Sequence, residues 1–140
     1  NFNQNRTTWA GLEDYILKNA DVEGLKVTVF TGPVLGDNDP EYRGTKLPRQ
    51  FWKVVVIGRP GGGLSATAYL LSQSQLLHDL EAFTYGAYRT FQVPVAQVAM
   101  LTGLDFGDLP NSDPLRTHEV LRESVSSGGR EIQHFGQIQL

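Results

Sequence analysis

The sequence predicts an α+β fold in which helices flank an antiparallel sheet. Near the start, apolar residues recur at a spacing that places them on one helical face. Further on, two segments suited to strands, Phe51–Ile57 and Leu64–Ser72, are joined by the glycine-rich turn at 58–63, which is typical of a hairpin. With 140 residues, 40% of them hydrophobic, the chain is predicted to form one domain with a sizeable core.

The first helix is predicted to run from Asn5 to Ala20, and Gly24 follows as a stop signal. Asn5 suits the N-cap, because its side-chain oxygen can accept a free backbone N–H. Eight helical steps separate Asn5 from Glu13, which brings the two side chains within about 80° of each other and about 12 Å apart along the axis. Their oxygens are ligands that a hard cation such as Mg²⁺ accepts, directly or through water. The predicted apolar stripe consists of Trp9, Leu12, Ile16 and Leu17.

A strand is predicted at Leu25–Thr31, because this segment is rich in β-branched and aromatic residues. Thr31-Gly32-Pro33 is expected to end it, and 32–50 is expected to be a long surface connection. The acidic run Asp37–Glu41 faintly resembles the opening of a calcium loop. Tyr42 and Pro48 occupy the positions where such a loop needs glycine and glutamate, so a solvated turn is predicted instead.

The strand at Phe51–Ile57 is apolar on both faces except for Lys53, which predicts a place inside the sheet. The glycines that follow could suggest a phosphate loop, but such a loop needs a Gly-Lys-Ser/Thr ending and a helix after it. Here the alternating segment Leu64–Ser72 follows, so the pair is predicted to be a hairpin.

The rest of the chain is predicted to alternate short elements with loops. A helix at Val95–Leu101 should begin just after Pro94 and end at Gly103. The other expectations are a short helix at 73–83, a short strand near 89–91, a solvated loop at 105–114, a short helix at 115–122 and an edge strand within 130–140.

Several blocks of the chain are similar to one known family. Asn5, Trp9, Leu12 and Glu13 match the pattern of its metal-site helix. Three further blocks follow in the family's order: 29–35 with its Thr-Gly-Pro turn, 42–44 with 47–48 and 51–55, and 91–95 with 101–106. In these residues the chain resembles the DNA/RNA non-specific endonucleases of the ββα-metal type.

The resemblance implies a ββα-metal nuclease-like fold with the metal-site helix at the N-terminus of this chain. It implies that Asn5 and Glu13 are catalytic, Asn5 as the direct metal ligand and Glu13 as a ligand through water. The implied cofactor is Mg²⁺, with Mn²⁺ or another divalent cation as a substitute, and the implied substrates are DNA and RNA. Several members carry arginine four residues after the glutamate, where this chain has Leu17. Arg6 and Lys18 are therefore the candidate phosphate-binding residues, although Lys18 points about 100° away from position 17.

The family's general-base histidine lies in an Asp-Arg-Gly-His segment some tens of residues before the metal-binding asparagine. None of the three histidines here, His78, His118 and His134, has that motif around it. His78 lies off the apolar stripe of its predicted helix, which favours a surface role. We therefore expect residues 1–140 to be the C-terminal part of a larger nuclease domain. The missing N-terminal part, which supplies the histidine, is an expected partner, as the same or a separate chain.

Composition limits the remaining choices. Cysteine is absent, which excludes a disulfide framework and a thiolate metal site but does not fix the compartment. We expect a secreted or periplasmic protein. No apolar run approaches the ~20 residues of a membrane helix, so no membrane partner is expected. The net charge of −3 is unusual for a protein that binds phosphates. Either the basic residues lie in the missing part, or the chain is not a nuclease.

Two alternatives to a nuclease therefore stay open. The acidic charge and Leu17 are compatible with a catalytically inactive relative that acts as a binding or inhibitory module. A weaker alternative is an α+β binding domain unrelated to nucleases. An intact Asp-Arg-Gly-His segment upstream would favour the enzyme, and a substituted histidine would favour the inactive module.

Overall fold

A computed structural model of the chain describes residues 12–21, 24–37, 39, 41–73, 88–116 and 130–132; for 42, 73, 88, 89 and 130–132 it describes the backbone alone. Within this part, an antiparallel sheet of five strands forms the centre, with helices on its two faces. The predicted α+β class with an antiparallel sheet is therefore confirmed. The strands are β1 (Lys26–Val34), β2 (Glu41–Tyr42), β3 (Thr45–Lys46), β4 (Gln50–Gly58), β5 (Leu64–Gln73), β6 (Tyr88–Val93) and β7 (Arg130–Ile132). The helices are α1 (residues 12–21) and α2 (Val95–Thr102).

The sheet has the strand order β1-β4-β5-β6-β7, and β2 and β3 form a separate small hairpin. Strand β4 lies between β1 and β5 and pairs with both along its whole length, from Gln50 to Gly58. The hairpin between β4 and β5 is confirmed. In its turn, Arg59 N donates to Gly63 O at 2.7 Å, and Gly61 and Gly62 have φ of 98° and 95°, a conformation that glycine tolerates best.

Strand β1 continues three residues past its predicted end, so the expectation that Thr31-Gly32-Pro33 would stop it was wrong. Gly32 pairs with Trp52, and Pro33 pairs with Phe51. Proline has no N–H to donate. An edge strand has a neighbour on one side only, so it can hold a proline where the nitrogen faces away from that neighbour. In the described sheet β1 is the edge strand, with β4 as its neighbour. The expected surface connection at 32–50 is correspondingly shorter, and it contains the β2–β3 hairpin.

The two faces of the sheet carry two separate hydrophobic clusters, because side chains alternate sides along each strand. One face packs against α2, and the other packs against α1. The α2-side cluster contains Trp52, Val54, Ala66, Ala68, Leu70, Val93, Val95 and Val98, and the α1-side cluster contains Leu12, Ile16, Val55, Ile57 and Tyr69. Strand β4 contributes to both clusters, as its two apolar faces predicted.

Helix α1 lies on the sheet through Leu12, Ile16 and Ala20, which are 1%, 1% and 4% exposed. Their spacing of four residues makes one buried stripe. Burying a leucine or isoleucine side chain stabilises the fold by about 1.5–3 kcal/mol. Leu17 was expected in this stripe, but it is 51% exposed because it points about 100° away from Ile16. Trp9 and the predicted first turns of the helix lie outside the described residues.

Helix α2 begins after Pro94 and ends before Gly103, as predicted. Pro94 makes no side-chain capping bond. Asp113 caps the helix instead, because its Oδ2 accepts Val95 N at 2.6 Å. Its Oδ1 accepts Leu115 N at 2.8 Å. Asp113 is 2% exposed, so the expectation of a solvated loop at 105–114 was wrong at this residue. Burial raises the pKa of Asp113, and its two backbone donors oppose that shift.

Other predicted elements agree with the structure in part. The short strand near 89–91 is β6, which spans six residues, and the edge strand within 130–140 is described at β7. A 3-10 helix, Leu109–Ser112, lies within the expected loop at 105–114. Gln73 ends β5 rather than beginning a helix. Residues 74–87 and 117–129 lie outside the described residues, as do His78, His118 and His134.

Candidate functional site

The candidate site lies on the α1 side of the sheet, where a row of polar side chains crosses the strands. Register pairs place Thr31 of β1 beside Lys53 of β4, Lys53 beside Tyr69 of β5, and Tyr69 beside Gln92 of β6. Paired residues of neighbouring antiparallel strands project from the same face. Lys53, Tyr69 and Gln92 are each 0% exposed. Within this row, Lys53, Tyr69 and Gln92 therefore form a buried polar floor, and exposed Thr31 lies at its edge.

Glu13 of α1 meets this floor at Lys53. The Lys53 Nζ donates to Glu13 Oε1 in an ion pair, with the lysine side chain 0% exposed and the glutamate side chain 45% exposed. Glu13 adjoins Leu12, whose burial against the sheet holds this turn of α1 in place. The carboxylate is thus fixed on its protein side and open to solvent on the other, as a group that must meet a cation or substrate requires.

Tyr69 lies next to Lys53 and keeps its proton. Its hydroxyl donates to Thr67 Oγ1 at 3.0 Å. Burial raises the pKa of Tyr69 well above its usual value, and the Thr67 contact offsets only part of that rise. On the edge strand, Thr31 Oγ1 donates to Trp52 O at 2.9 Å. The neighbours of Lys53 in the row are therefore neutral, and the carboxylate of Glu13 balances its charge.

Of the four predicted site residues, the structure describes Glu13 and Lys18. Glu13 lies on α1, within the predicted helix, and contacts the sheet through Lys53, while its role at a metal stays a prediction. Lys18 is exposed, and five helical steps turn it about 140° away from Glu13. Leu17 is only about 40° from Glu13 around the axis and projects into solvent on that side. Asn5 and Arg6 lie outside the described residues.

Lys53 is the site residue that sequence reasoning missed. A signal for it was present, since a lysine interrupts the otherwise apolar strand Phe51–Ile57. A lysine is almost never fully buried unless it is paired, so a strand predicted to lie inside the sheet required an acidic partner. The periodicity of one strand does not say which carboxylate that partner is.

The described residues contain no group of three or more histidine, cysteine, aspartate or glutamate side chains that could hold a metal ion. The expected solvated turn at 37–41 agrees with the described contacts, because Asp39 Oδ2 accepts Gly36 N at 2.8 Å. A cation at Glu13 would have one described carboxylate beside it.

None of the helices described is both long and apolar enough to cross a lipid bilayer.

Comparison with known proteins places the chain in a family. The model of the DNA/RNA non-specific endonuclease family matches residues 1–113, which include α1, β4 and the whole of α2. A protein of Sinorhizobium fredii (strain NBRC 101917 / NGR234), named "Uncharacterized protein y4fB", is 34% identical over 148 residues. A protein of Nostoc sp. (strain PCC 7120 / SAG 25.82 / UTEX 2576), named "Nuclease", is 29% identical over 111 residues.

These relatives are longer than the chain. The first similarity covers 99% of this chain and 21% of the Sinorhizobium protein, and the second covers 79% of this chain and 39% of the Nostoc protein. No solved structure was found to match. The family model covers most of the chain, including both elements that form the Glu13–Lys53 ion pair. The chain therefore belongs to the DNA/RNA non-specific endonuclease family.

Proposed function

We propose that the chain is part of a metal-dependent endonuclease that hydrolyses phosphodiester bonds of DNA and RNA without preference for sequence or sugar. The observation that carries this proposal is Glu13, a half-exposed carboxylate held by buried Lys53 within the segment that matches the family. Residues 1–140 would form one domain with a preceding segment and would share the family's ββα-metal arrangement, with α1 as the metal-site helix. Family resemblance supports these finer points.

Different residues of the chain would bind the cation and the phosphate. Asn5 would be the direct ligand of a divalent cation through its amide oxygen, and Glu13 would hold the cation through water. The cation, Mg²⁺ with Mn²⁺ as a substitute, would neutralise the phosphate and stabilise the departing 3′ oxygen. Arg6 would contact the phosphate, since its planar fork can bind two oxygens, and Lys18 would add positive charge further along α1.

A histidine in the preceding segment would act as the general base that takes a proton from the attacking water. Contacts to phosphates carry no sequence information, which accounts for the lack of sequence preference.

The complete protein would be secreted or periplasmic. Recovery of the native protein only from the cytoplasmic fraction of the producing cells would contradict that location.

The test is cleavage of supercoiled plasmid and of RNA by the complete protein, with MgCl₂ or with EDTA. Both substrates should be cut with Mg²⁺ present, and chelation should abolish cutting. Asn5→Ala and Glu13→Ala should each lower the cleavage rate by about 10- to 100-fold or more, the scale of losing a metal-site group. Asp14→Ala is the matched control, because Asp14 is an exposed carboxylate on the same turn that points about 100° away.

Other outcomes would favour other functions. Full activity in both variants would show that the site assignment is wrong. Binding of DNA without cleavage at any Mg²⁺ or Mn²⁺ concentration would favour the inactive binding or inhibitory module. No binding of nucleic acid or cation would favour an unrelated α+β binding domain.

A further inference from the structure

We propose that Lys53 is a positioning residue for the nuclease reaction, acting through Glu13. This inference rests on the proposed function, because it assigns a task to the carboxylate that the proposed site uses. It starts from an unusual placement: a lysine on β4 that is 0% exposed, with its ammonium paired to a helix carboxylate.

The burial of Lys53 argues that its charge has a use. Moving an ammonium group out of water is strongly unfavourable, and the attraction of a partner often fails to exceed that penalty. Its neighbours in β4 on the same face, Phe51 and Val55, are apolar, and Val55 packs in the α1-side cluster. An apolar residue would therefore suit position 53 for packing alone. The ion pair instead links β4 to α1.

The geometry shows what this link does to Glu13. A half-exposed glutamate on a helix ordinarily samples several rotamers. Lys53, from the buried floor, donates to Oε1, and the glutamate side chain remains 45% exposed. Leu12 and Ile16 fix the helix itself, so the lysine needs to fix only the side chain. A carboxylate held in this way meets a hydrated cation without first losing rotamer freedom.

The first measurement is made without metal. In a spectrum of the complete protein that detects lysine ammonium groups by ¹⁵N–¹H NMR, Lys53 should give a resolved, slowly exchanging signal, because the group is buried and bonded. Glu13→Gln, which keeps the shape and removes the charge, should shift or broaden that signal beyond detection. A Lys53 signal that is the same in both proteins would overturn the proposal.

The second measurement is a double-mutant cycle on plasmid cleavage with Mg²⁺. Lys53→Met, a volume-conserving change, should lower kcat by about 10- to 100-fold, as loss of a partner that orients a ligand commonly does. The KM for plasmid should change by less than about threefold. In the Glu13→Gln background the same change should have no further effect on kcat, because a residue that acts through Glu13 has nothing left to position.

Val55→Ala is the matched control for loosened packing of α1, because Val55 lies two residues along β4 on the same face. It should lower the melting temperature and leave kcat within about threefold of the wild-type value. All variants are assayed well below the lowest melting temperature. Loss of kcat in Val55→Ala equal to that in Lys53→Met would show that packing, rather than the ion pair, is responsible, and would overturn the proposal.

The remaining outcomes separate this inference from the proposed function. If Glu13→Gln is impaired but Lys53→Met cuts at the wild-type rate, the role of Lys53 is wrong and the nuclease proposal stands. If the two substitutions multiply in the double variant, Lys53 does not act through Glu13. If the wild-type protein cuts no nucleic acid with any divalent cation, the function itself is wrong, and the positioning role with it.

Discussion

Two charged side chains are buried among the described residues, and each has a specific partner. Lys53 lies in the sheet and pairs with Glu13. Asp113 lies in the loop after the 3-10 helix and accepts two backbone N–H groups. A buried charge is tolerated when it is paired or hydrogen-bonded, and both residues satisfy that condition. One links α1 to the sheet, and the other links α2 to the segment that follows it.

Asp113 should contribute measurably to stability. We expect Asp113→Ala to lower the free energy of unfolding by about 1–3 kcal/mol, because the backbone N–H groups of Val95 and Leu115 would be buried without an acceptor. Urea denaturation followed by circular dichroism measures the change. Asp108→Ala, an exposed aspartate five residues earlier, is the control and should stay within about 0.5 kcal/mol of wild type. Equal effects at the two positions would contradict this role for Asp113.

At the scale of elements, the β1–β4 ladder depends on a close approach between Gly32 and Trp52. A Cβ at Gly32 would lie 3.1 Å from three atoms of the Trp52 indole. That indole also packs edge-on against Phe106, with ring centroids 5.6 Å apart. The glycine that resembled a strand terminator is instead the position that gives the tryptophan room beside the edge strand.

Gly32→Ala should therefore destabilise the protein, by about 1–3 kcal/mol, because the indole must shift within a packed cluster. Gly58→Ala is the matched control in the same ladder. A Cβ there would meet only ordinary contacts, at 3.8 Å and 3.9 Å from atoms of Lys26, so the change should be neutral or slightly stabilising. Thermal unfolding of both variants tests the difference. A Gly32→Ala protein as stable as Gly58→Ala would show that the indole has room to move.

At the scale of the molecule, the net charge of −3 conflicts with a phosphate-binding role unless positive charge is concentrated locally. The position one turn after Glu13 on the same side of α1 holds an exposed leucine, Leu17. Among the described residues, this position beside Glu13 therefore carries no positive charge.

Adding a positive charge at position 17 should strengthen binding of nucleic acid. Leu17→Arg should tighten binding of duplex DNA and make the slope of log K against log salt steeper by about 1, because one more phosphate is neutralised. Leu64→Arg is the control, because it gives the same net charge. Leu64 is 53% exposed, and its register pair with Gly58 places it on the other face of the sheet. Fluorescence anisotropy over a salt series compares the two. Equal effects would indicate general charge attraction rather than a site at α1.

Much of the architecture was predictable because local patterns determine local structure. The alternation and glycine turn in 51–72 were enough for the hairpin, and Pro94 with Gly103 bounded α2 within one residue. Errors occurred where tertiary pairing overrides local preference. Pro33 belongs to β1 because an edge position tolerates it, and Asp113 is buried because α2 needs an acceptor at its first turn.

For the site, the sequence by itself determined the family resemblance, the spacing of Asn5 and Glu13, and the presence of a lone lysine in an apolar strand. Only the tertiary structure decided that this lysine meets Glu13, since the two residues are 40 positions apart and no local pattern relates them. Helix periodicity orients side chains around one axis, and strand alternation orients them about one sheet. Which helix face meets which strand depends on packing, here of Leu12 and Ile16 against Val55, Ile57 and Tyr69.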